Sequence, residues 1–367
     1  MNISKLLMTM CIVFSFQLVP PSALFAFGGG GAAAFSEDVI RERLAFMSGE
    51  IAFTYHPEVR KKILSYGING IHGTRNMLER ADGLMPLVEH YLLINGLPQE
   101  LKYLPLIESQ YRPSAVSPMG AAGLWQFMRG TARDYGLRIT SYTDERKDPV
   151  RSTEAAVRYL SGLYDTYGDW SLVLAAYNCG PGNVNRAIRY AGSNDYWKLR
   201  RYLPAETQRY VPNFIAAAYI ANYYQEHGIE LQPSDLMGEQ LLPTRIHHRV
   251  SLSEIARITG ISHSQIQRLN PSITRGWIPS SERGVYVMLP ESAVRQLERE
   301  GWHIPPTAPV LRAPFDSVRS SYTVNSGDSL YRLADLFECS VENLRQWNYL
   351  ADGDVYPGQE LTVYFPR

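Results

Sequence analysis

The sequence has few cysteines: three in 367 residues, Cys11, Cys179 and Cys339. So few exclude a disulfide framework, and an apolar core must hold the fold instead. Cys179 and Cys339 fall in segments read below as different domains, which argues against a bridge between them. Charge of one sign is also missing. Lys+Arg and Asp+Glu both number 36, so no global field draws the chain to nucleic acid or to anionic lipid. The apolar run near the start, Leu6 to Val19, is 14 residues, short of the roughly 20 that span a bilayer. The eight histidines show no metal-ligand spacing. His247 and His248 are adjacent on a strand-like run and would face opposite sides. No metal and no cofactor is expected.

What is present begins with an address. Lys5, the short apolar run, the break at Pro20 and Pro21, and the small residue Ala26 read as a cleaved signal peptide over 1–26. Residues 27–36, with Gly28 to Gly31 and Ala32 to Ala34, read as a flexible spacer. Cys11 follows Met8, Thr9 and Met10, a poor context for a lipid anchor. The expectation is export to the periplasm or cell envelope. Apolar residues make up 45% of the chain, enough for a core, and 24 of the residues are tyrosine. Tyrosines on a surface suit sugar binding, but composition alone favours aromatic core packing.

From Phe35 to about Leu231 the apolar spacing is helical. Pro98 opens a helix whose apolar residues Leu101, Leu104 and Ile107 lead to Glu108, and Pro113 and Pro118 end it. Gly123 to Tyr135 reads as a second helix, stopped by Gly136. Asp148-Pro149 is a cap and first-turn pair. Thr153, Val157, Leu160, Tyr164 and Tyr167 follow on one face, up to Gly168. Trp170 to Tyr177 is a short apolar helix broken at Gly180-Pro181-Gly182. Val211 to Tyr224 is another, with Pro212 marking a start or a kink. After Pro233 the texture changes to a weak internal repeat of strand, two short helices and strand. The first copy has Ile246–Val250, Leu252–Thr259, Ser264–Leu269 and Val285–Leu289. The second has Tyr322–Val324, Ser329–Phe337, Val341–Trp347 and Leu361–Phe365. A proline-rich linker over 301–320 separates them.

Glu108 is the residue most suited to chemistry. Pro105, Leu106 and Ile107 precede it, and Pro113, Pro118, Gly120 and Gly123 follow. A carboxyl leaving an apolar helix end for a cleft loses hydration, which raises its pKa and equips it as a general acid. The run Ile107-Glu108-Ser109-Gln110-Tyr111-Arg112-Pro113, then Ser117-Pro118-Met119-Gly120-Ala121-Ala122-Gly123-Leu124-Trp125-Gln126-Phe127-Met128, resembles the catalytic signature of the family 1 lytic transglycosylases. These share a fold with goose-type lysozymes. Ala176-Tyr177-Asn178-Cys179-Gly180 is similar to the family's second block, and Glu206-Thr207-Gln208-Arg209-Tyr210-Val211 to its third.

The resemblance implies a mainly α, goose-type lysozyme-like catalytic domain over 37–235. It implies Glu108 as the acid/base and Ser117 beside the muramyl N-acetyl group. Gln126 and Met128 would line the groove. Tyr177 and Asn178 would position Glu108 and the substrate, Glu206 would be a groove carboxylate, and Tyr210 would join the substrate-binding set. Arg129 stands where the family often has Pro, which puts the groove edge in doubt. Cys179 has no matched histidine to activate it and reads as a small buried side chain.

Most glycosidases use two carboxylates, but Asp134, Asp144 and Asp148 fall in no matched block, and Asp148 is better explained as a cap. The family implies substrate assistance instead, with peptidoglycan glycan strands as partner and a 1,6-anhydromuramyl end as product. A hydrolytic lysozyme using Asp134 or Glu206 to activate water stays open. So does a wall-binding protein without activity.

The second repeat resembles a LysM module in Tyr322-Thr323-Val324, Ser326-Gly327-Asp328-Ser329-Leu330, Leu344, Asn348 and Tyr356-Pro357-Gly358-Gln359. That implies small α+β (βααβ) modules: a complete one over 321–366, and a degenerate one over 242–291 that keeps Leu269-Asn270-Pro271 but has Val250-Ser251-Leu252-Ser253 in place of the Gly-Asp-Ser-Leu element. Gly327, Asp328, Ser329 and Leu350 are its implied glycan-facing positions. Asp328 or Ser329 can also cap the first helix.

Overall fold

The computed structural model describes residues 33–232, 241–302, 317–325, 328–337, 339, 341–348, 350 and 355–366. The signal-peptide reading over 1–26, most of the spacer, most of the proline-rich linker and Gly327 lie outside them.

The first 200 described residues are helical. In chain order they form α1 Glu37–Met47, α2 Pro57–Leu64, α3 Ile71–Ile94, α4 Leu104–Glu108, α5 Arg129–Asp134, α6 Pro149–Tyr167, α7 Trp170–Cys179, α8 Pro181–Ala191, α9 Tyr196–Leu199 and α10 Thr207–Asn222. α7 and α10 are the central helices. Leu172, Val173, Leu174, Ala175 and Ala176 are all buried, as is nearly every residue from Tyr210 to Ala221. A helix apolar on all sides must be enclosed, and α2, α4 and α6 enclose this pair.

Two local expectations are corrected. The first part of the anticipated helix, Gly123 to Met128, does not form, because helix begins only at Arg129. Gly120, Gly123 and Gln126 all have positive φ, and Ala122 pairs with Phe127 across a tight turn. Two left-handed residues three apart are incompatible with an α-helix. In addition, the helix around Val211 starts earlier, at Thr207, and carries Pro212 inside it. Proline at 212 leaves the Gln208 carbonyl without its helical donor, and the Tyr196 hydroxyl and Arg200 Nε supply donors in its place.

Two small modules follow. Module 1 contains β1 Leu241–Ile246, β2 Val250–Ser251, α11 Leu252–Thr259, α12 His263–Leu269, β3 Trp277–Ile278, β4 Val285–Pro290 and α13 Glu291–Arg299. β1 runs antiparallel to β4 in the register Ile246–Val285 to Leu241–Pro290. His247 and His248 lie beyond β1 rather than on a strand, and the His247 ring faces the carbonyls of Ser281 and Glu282. Module 2 contains β5 Ser317–Thr323, α14 Leu330–Leu336, α15 Val341–Trp347 and β6 Glu360–Pro366.

The repeat is visible at one residue. The Asn270 side chain donates to the Ile266 and Met288 carbonyls and accepts from the Met288 N–H. Asn348 does the same with Leu344 and Thr362. In both modules an asparagine after the second helix ties that helix to the last strand.

Candidate active site

Glu108 is the last residue of α4, and the turn after it is unusual. Gln110 and Tyr111 are consecutive non-glycine residues at φ 54° and 55°. Left-handed residues close helix ends, but that role normally falls to glycine. Here burial compensates. Tyr111 is fully buried and its hydroxyl donates to the Lys102 carbonyl at 2.7 Å, while its N–H reaches back to Pro105 O at 3.1 Å. Ser109, also buried, donates its hydroxyl to Leu124 O at 2.8 Å, binding this turn to the next loop.

That loop, 115–128, forms one wall of an open cavity of about 640 Å³. Trp125 at its base is fully buried, with its indole N–H on Thr153 Oγ1 at 2.9 Å. Ser117 Oγ accepts from Ala121 N at 3.1 Å, and the Gln126 amide donates to Gly123 O at 2.8 Å. Met119 and Met128 stand at the rim, 80% and 45% exposed. The opposite wall comes from α2 and α10. Glu206, Arg209, Tyr210 and Asn213 face the cavity at helical spacing, joined by Lys62.

Glu108 is partly exposed to this cavity, and the Tyr210 hydroxyl donates to its Oε1. Burial raises the carboxyl pKa to about 7, against the lowering pull of the Tyr210 hydrogen bond, with a smaller push upward from the Glu206 charge. Burial holds the Tyr210 phenol far above its ordinary range, so it stays a donor. Glu108 therefore rests as a protonated or half-protonated acid near neutral pH, aimed by one phenol.

Ser117, Gln126, Met128, Tyr177, Asn178, Glu206 and Tyr210 all line this cavity with Glu108. Two contacts differ from the implied roles. Tyr177 donates to Trp125 O at 2.7 Å rather than to Glu108, so it supports the loop and Tyr210 holds the acid. Asn178 Oδ1 accepts from the Thr207 hydroxyl at 2.7 Å, joining α7 to α10. Asp134 is exposed and outside the cavity. Asp144 pairs with Arg146 at 2.8 Å, and Asp148 caps α6 through the amides of Val150 and Arg151. Of the acidic residues, Glu108 and Glu206 line the cavity. Lys62 and Asn213 were not singled out from sequence. Asn213 was within reach, seven residues after Glu206 on the same helical face, whereas nothing near Lys62 marks it.

In module 2, Asp328 Oδ2 accepts from the Tyr322 hydroxyl and the Asn325 N–H, both at 2.8 Å, and these bonds hold its carboxyl below the usual range. The α14 cap falls to Ser329, which accepts from Arg332 N at 3.3 Å. Leu350 is half-buried against the module core.

No helix of the described residues is long and apolar enough to cross a membrane, and no group of three or more His, Cys, Asp or Glu among them could hold a metal.

A helical domain with a desolvated acid in an open groove is followed by two small strand-and-helix modules. Residues 94–200 match the Transglycosylase SLT domain family, 240–300 the LysM-like domain of lytic transglycosylase MltD, and 322–363 the LysM domain. The chain thus carries one segment similar to SLT domains and two similar to LysM-type modules. More particularly, it is 35% identical over 294 residues to membrane-bound lytic murein transglycosylase D of Escherichia coli K12, covering 77% of this chain and 64% of that protein. The chain therefore spans less than two thirds of that relative's length. It is 29% identical over 174 residues to membrane-bound lytic murein transglycosylase F of Yersinia pestis, covering 41% of this chain and 34% of that one. Among solved structures, the 70 kDa soluble lytic transglycosylase of Escherichia coli aligns over 41% of this chain and 26% of its own, at 27% identity and a TM-score of 0.32.

Proposed function

We propose that this protein is a peptidoglycan lytic transglycosylase that uses Glu108 as its sole acid/base. The observation that carries the reading is a desolvated carboxyl with a pKa of about 7, held by Tyr210, in a groove whose other acidic residue, Glu206, is exposed. Protonated Glu108 donates to the glycosidic oxygen between a muramyl and a glucosaminyl residue as that bond breaks. The muramyl N-acetyl oxygen bonds to C1 from the opposite face and holds the positive charge. Carboxylate Glu108 then removes the proton of the muramyl 6-hydroxyl. O6 displaces the acetamido oxygen at C1, closing a 1,6-anhydro ring and restoring protonated Glu108, with no water consumed. In this reading Ser117 lies beside the muramyl N-acetyl group, and Gln126 and Met128 line the groove.

LysM-mediated attachment to glycan, through module 2, belongs to the same reading. So does export to the cell envelope by the segment 1–26. The domain division follows: 37–235 catalytic, 242–291 a degenerate module, 321–366 a glycan-binding module.

The test is mass spectrometry of muropeptides released from sacculi. Wild type should give anhydro-ended products and Glu108→Gln none. Ordinary reducing ends would instead indicate hydrolysis, with Glu206 activating water. Equal inactivity of both proteins with retained binding would indicate a wall-binding protein.

A further inference from the structure

We propose that module 1 is a brace for the catalytic groove rather than a separate glycan-binding unit, acting through the positioning residues Asp144 and Arg146. The catalytic part rests on the function proposed above.

Module 1 is docked on the helical domain by its own loop and strand. The loop after α12 pairs with the hairpin 138–146 of the helical domain. Asp144 N donates to Ser272 O at 2.8 Å, Thr274 N to Tyr142 O at 2.9 Å, and the Thr274 hydroxyl to Ser141 O at 3.0 Å. Strand alternation does the rest. On β4, Val287 and Leu289 enter the module's own core. Tyr286 and Met288 point the other way and are buried against Leu87 of α3 and Val150 of α6. The Arg151 guanidinium lies 4.8 Å over the Tyr286 ring, and Arg283 reaches Gly136 O at 3.4 Å. Loop polar groups and an outward strand face that would be free in an independent module are consumed here.

The same hairpin grips the groove. Buried Arg146 makes a two-pronged pair with Asp144 at 3.0 and 2.8 Å. Its remaining nitrogen, Nη1, donates to Gly120 O at 2.7 Å and Phe127 O at 3.2 Å. Those carbonyls bracket the loop that presents Gln126 and Met128. Gly123 completes the contact: a Cβ there would stand 1.6 Å from Arg146 O. A continuous set of hydrogen bonds thus runs from Ser272 through Asp144 and Arg146 to the groove wall, with Thr274 pinning the same hairpin at Ser141 and Tyr142. Catalysis is sensitive to small displacements of such a wall.

Hydrogen exchange on the full chain tests this, since it requires no turnover. Met288→Lys places a charge in the seam while leaving the module's core residues intact. The expected result is faster exchange at the Asp144 and Thr274 amides, about tenfold faster exchange at Ala122 and Phe127, and unchanged protection in β1 and β4. On a soluble glucosaminyl-muramyl tetrasaccharide, kcat/KM should fall about tenfold with sacculus binding unchanged. Arg146→Met cuts the link on the other side and should give the same loosening at Ala122 and Phe127, with Arg146→Lys intermediate because an ammonium can serve one carbonyl. The proposal is overturned if the seam opens while Ala122 and Phe127 keep their wild-type rates. It is equally overturned if Arg146→Met leaves those rates unchanged, whatever Met288→Lys does. A wild type that releases no anhydro products would defeat the proposed function alone.

Discussion

At the scale of the residue, the pH response rests on Glu108. The acid must be protonated for the first step, so the rate should fall as pH rises through about 7. Its two polar neighbours act in opposite directions. Tyr210→Phe removes a hydrogen bond that favours the carboxylate, so the falling limb should move to higher pH, with kcat lowered tenfold or more, on the order of a lost aiming contact. Glu206→Gln removes a negative neighbour, so the limb should move to lower pH. A pH–rate profile of each variant checks both signs. Stability follows from the same shift. The folded pKa is raised from 4.5 to about 7, so folding favours the protonated form. The carboxyl is neutral in both states below pH 4.5; its penalty on the fold grows between pH 4.5 and about 7 and is complete above 7. Glu108→Gln should therefore stabilise the protein at pH 8, by up to ~3 kcal/mol, and give no gain at pH 4. Thermal melts at the two pH values decide it. Glu108 was legible because an apolar lead-in and a matched block surround it. The choice between Tyr177 and Tyr210 as its partner was not, since both phenols sit in matched blocks and only their placement in space separates them.

At the scale of the element, glycine and proline carry the lesson. A glycine and alanine-rich stretch before Trp125 reads as helix when only periodicity is weighed. The chain instead needs positive φ at Gly123, where the Arg146 carbonyl leaves no space for a side chain. Gly123→Ala should lose several-fold in activity and about 3 kcal/mol or more in stability, measured by urea unfolding. Pro212 reads as a boundary because its cost inside a helix depends on whether the stranded carbonyl finds donors, and those come from Tyr196 and Arg200, outside the helix. The repeat, by contrast, was legible in its helices, with Leu252–Thr259 and Val341–Trp347 read at their observed bounds. The two asparagines make it testable. Asn348→Ala should destabilise module 2 alone, and Asn270→Ala module 1 together with the groove loop it braces, each by roughly 1–3 kcal/mol, as seen by residue-resolved exchange.

At the scale of the molecule, the modules divide their work. Truncation after residue 302, removing module 2, should weaken co-sedimentation with sacculi while turnover of a soluble fragment stays near wild type. A parallel loss of both would place module 2 in the groove machinery. The helical class of the first part and the strand-bearing class of the second follow from apolar period alone. The seam between them does not. Tyr286 and Met288 are what any strand with one outward face would show, and the sequence offers no sign that the outward face is covered.

The left-handed pair after Glu108 has a further consequence. Gln110 and Tyr111 occupy a sparsely populated region of backbone space, and the anchored phenol of Tyr111 blocks relaxation to a more common one. The Glu108 carboxyl is consequently aimed before any ligand arrives, behaving as a fixed nozzle rather than a hinge. Substituting glycine at 110 would slacken that spring, yielding an easier backbone and a less steady aim.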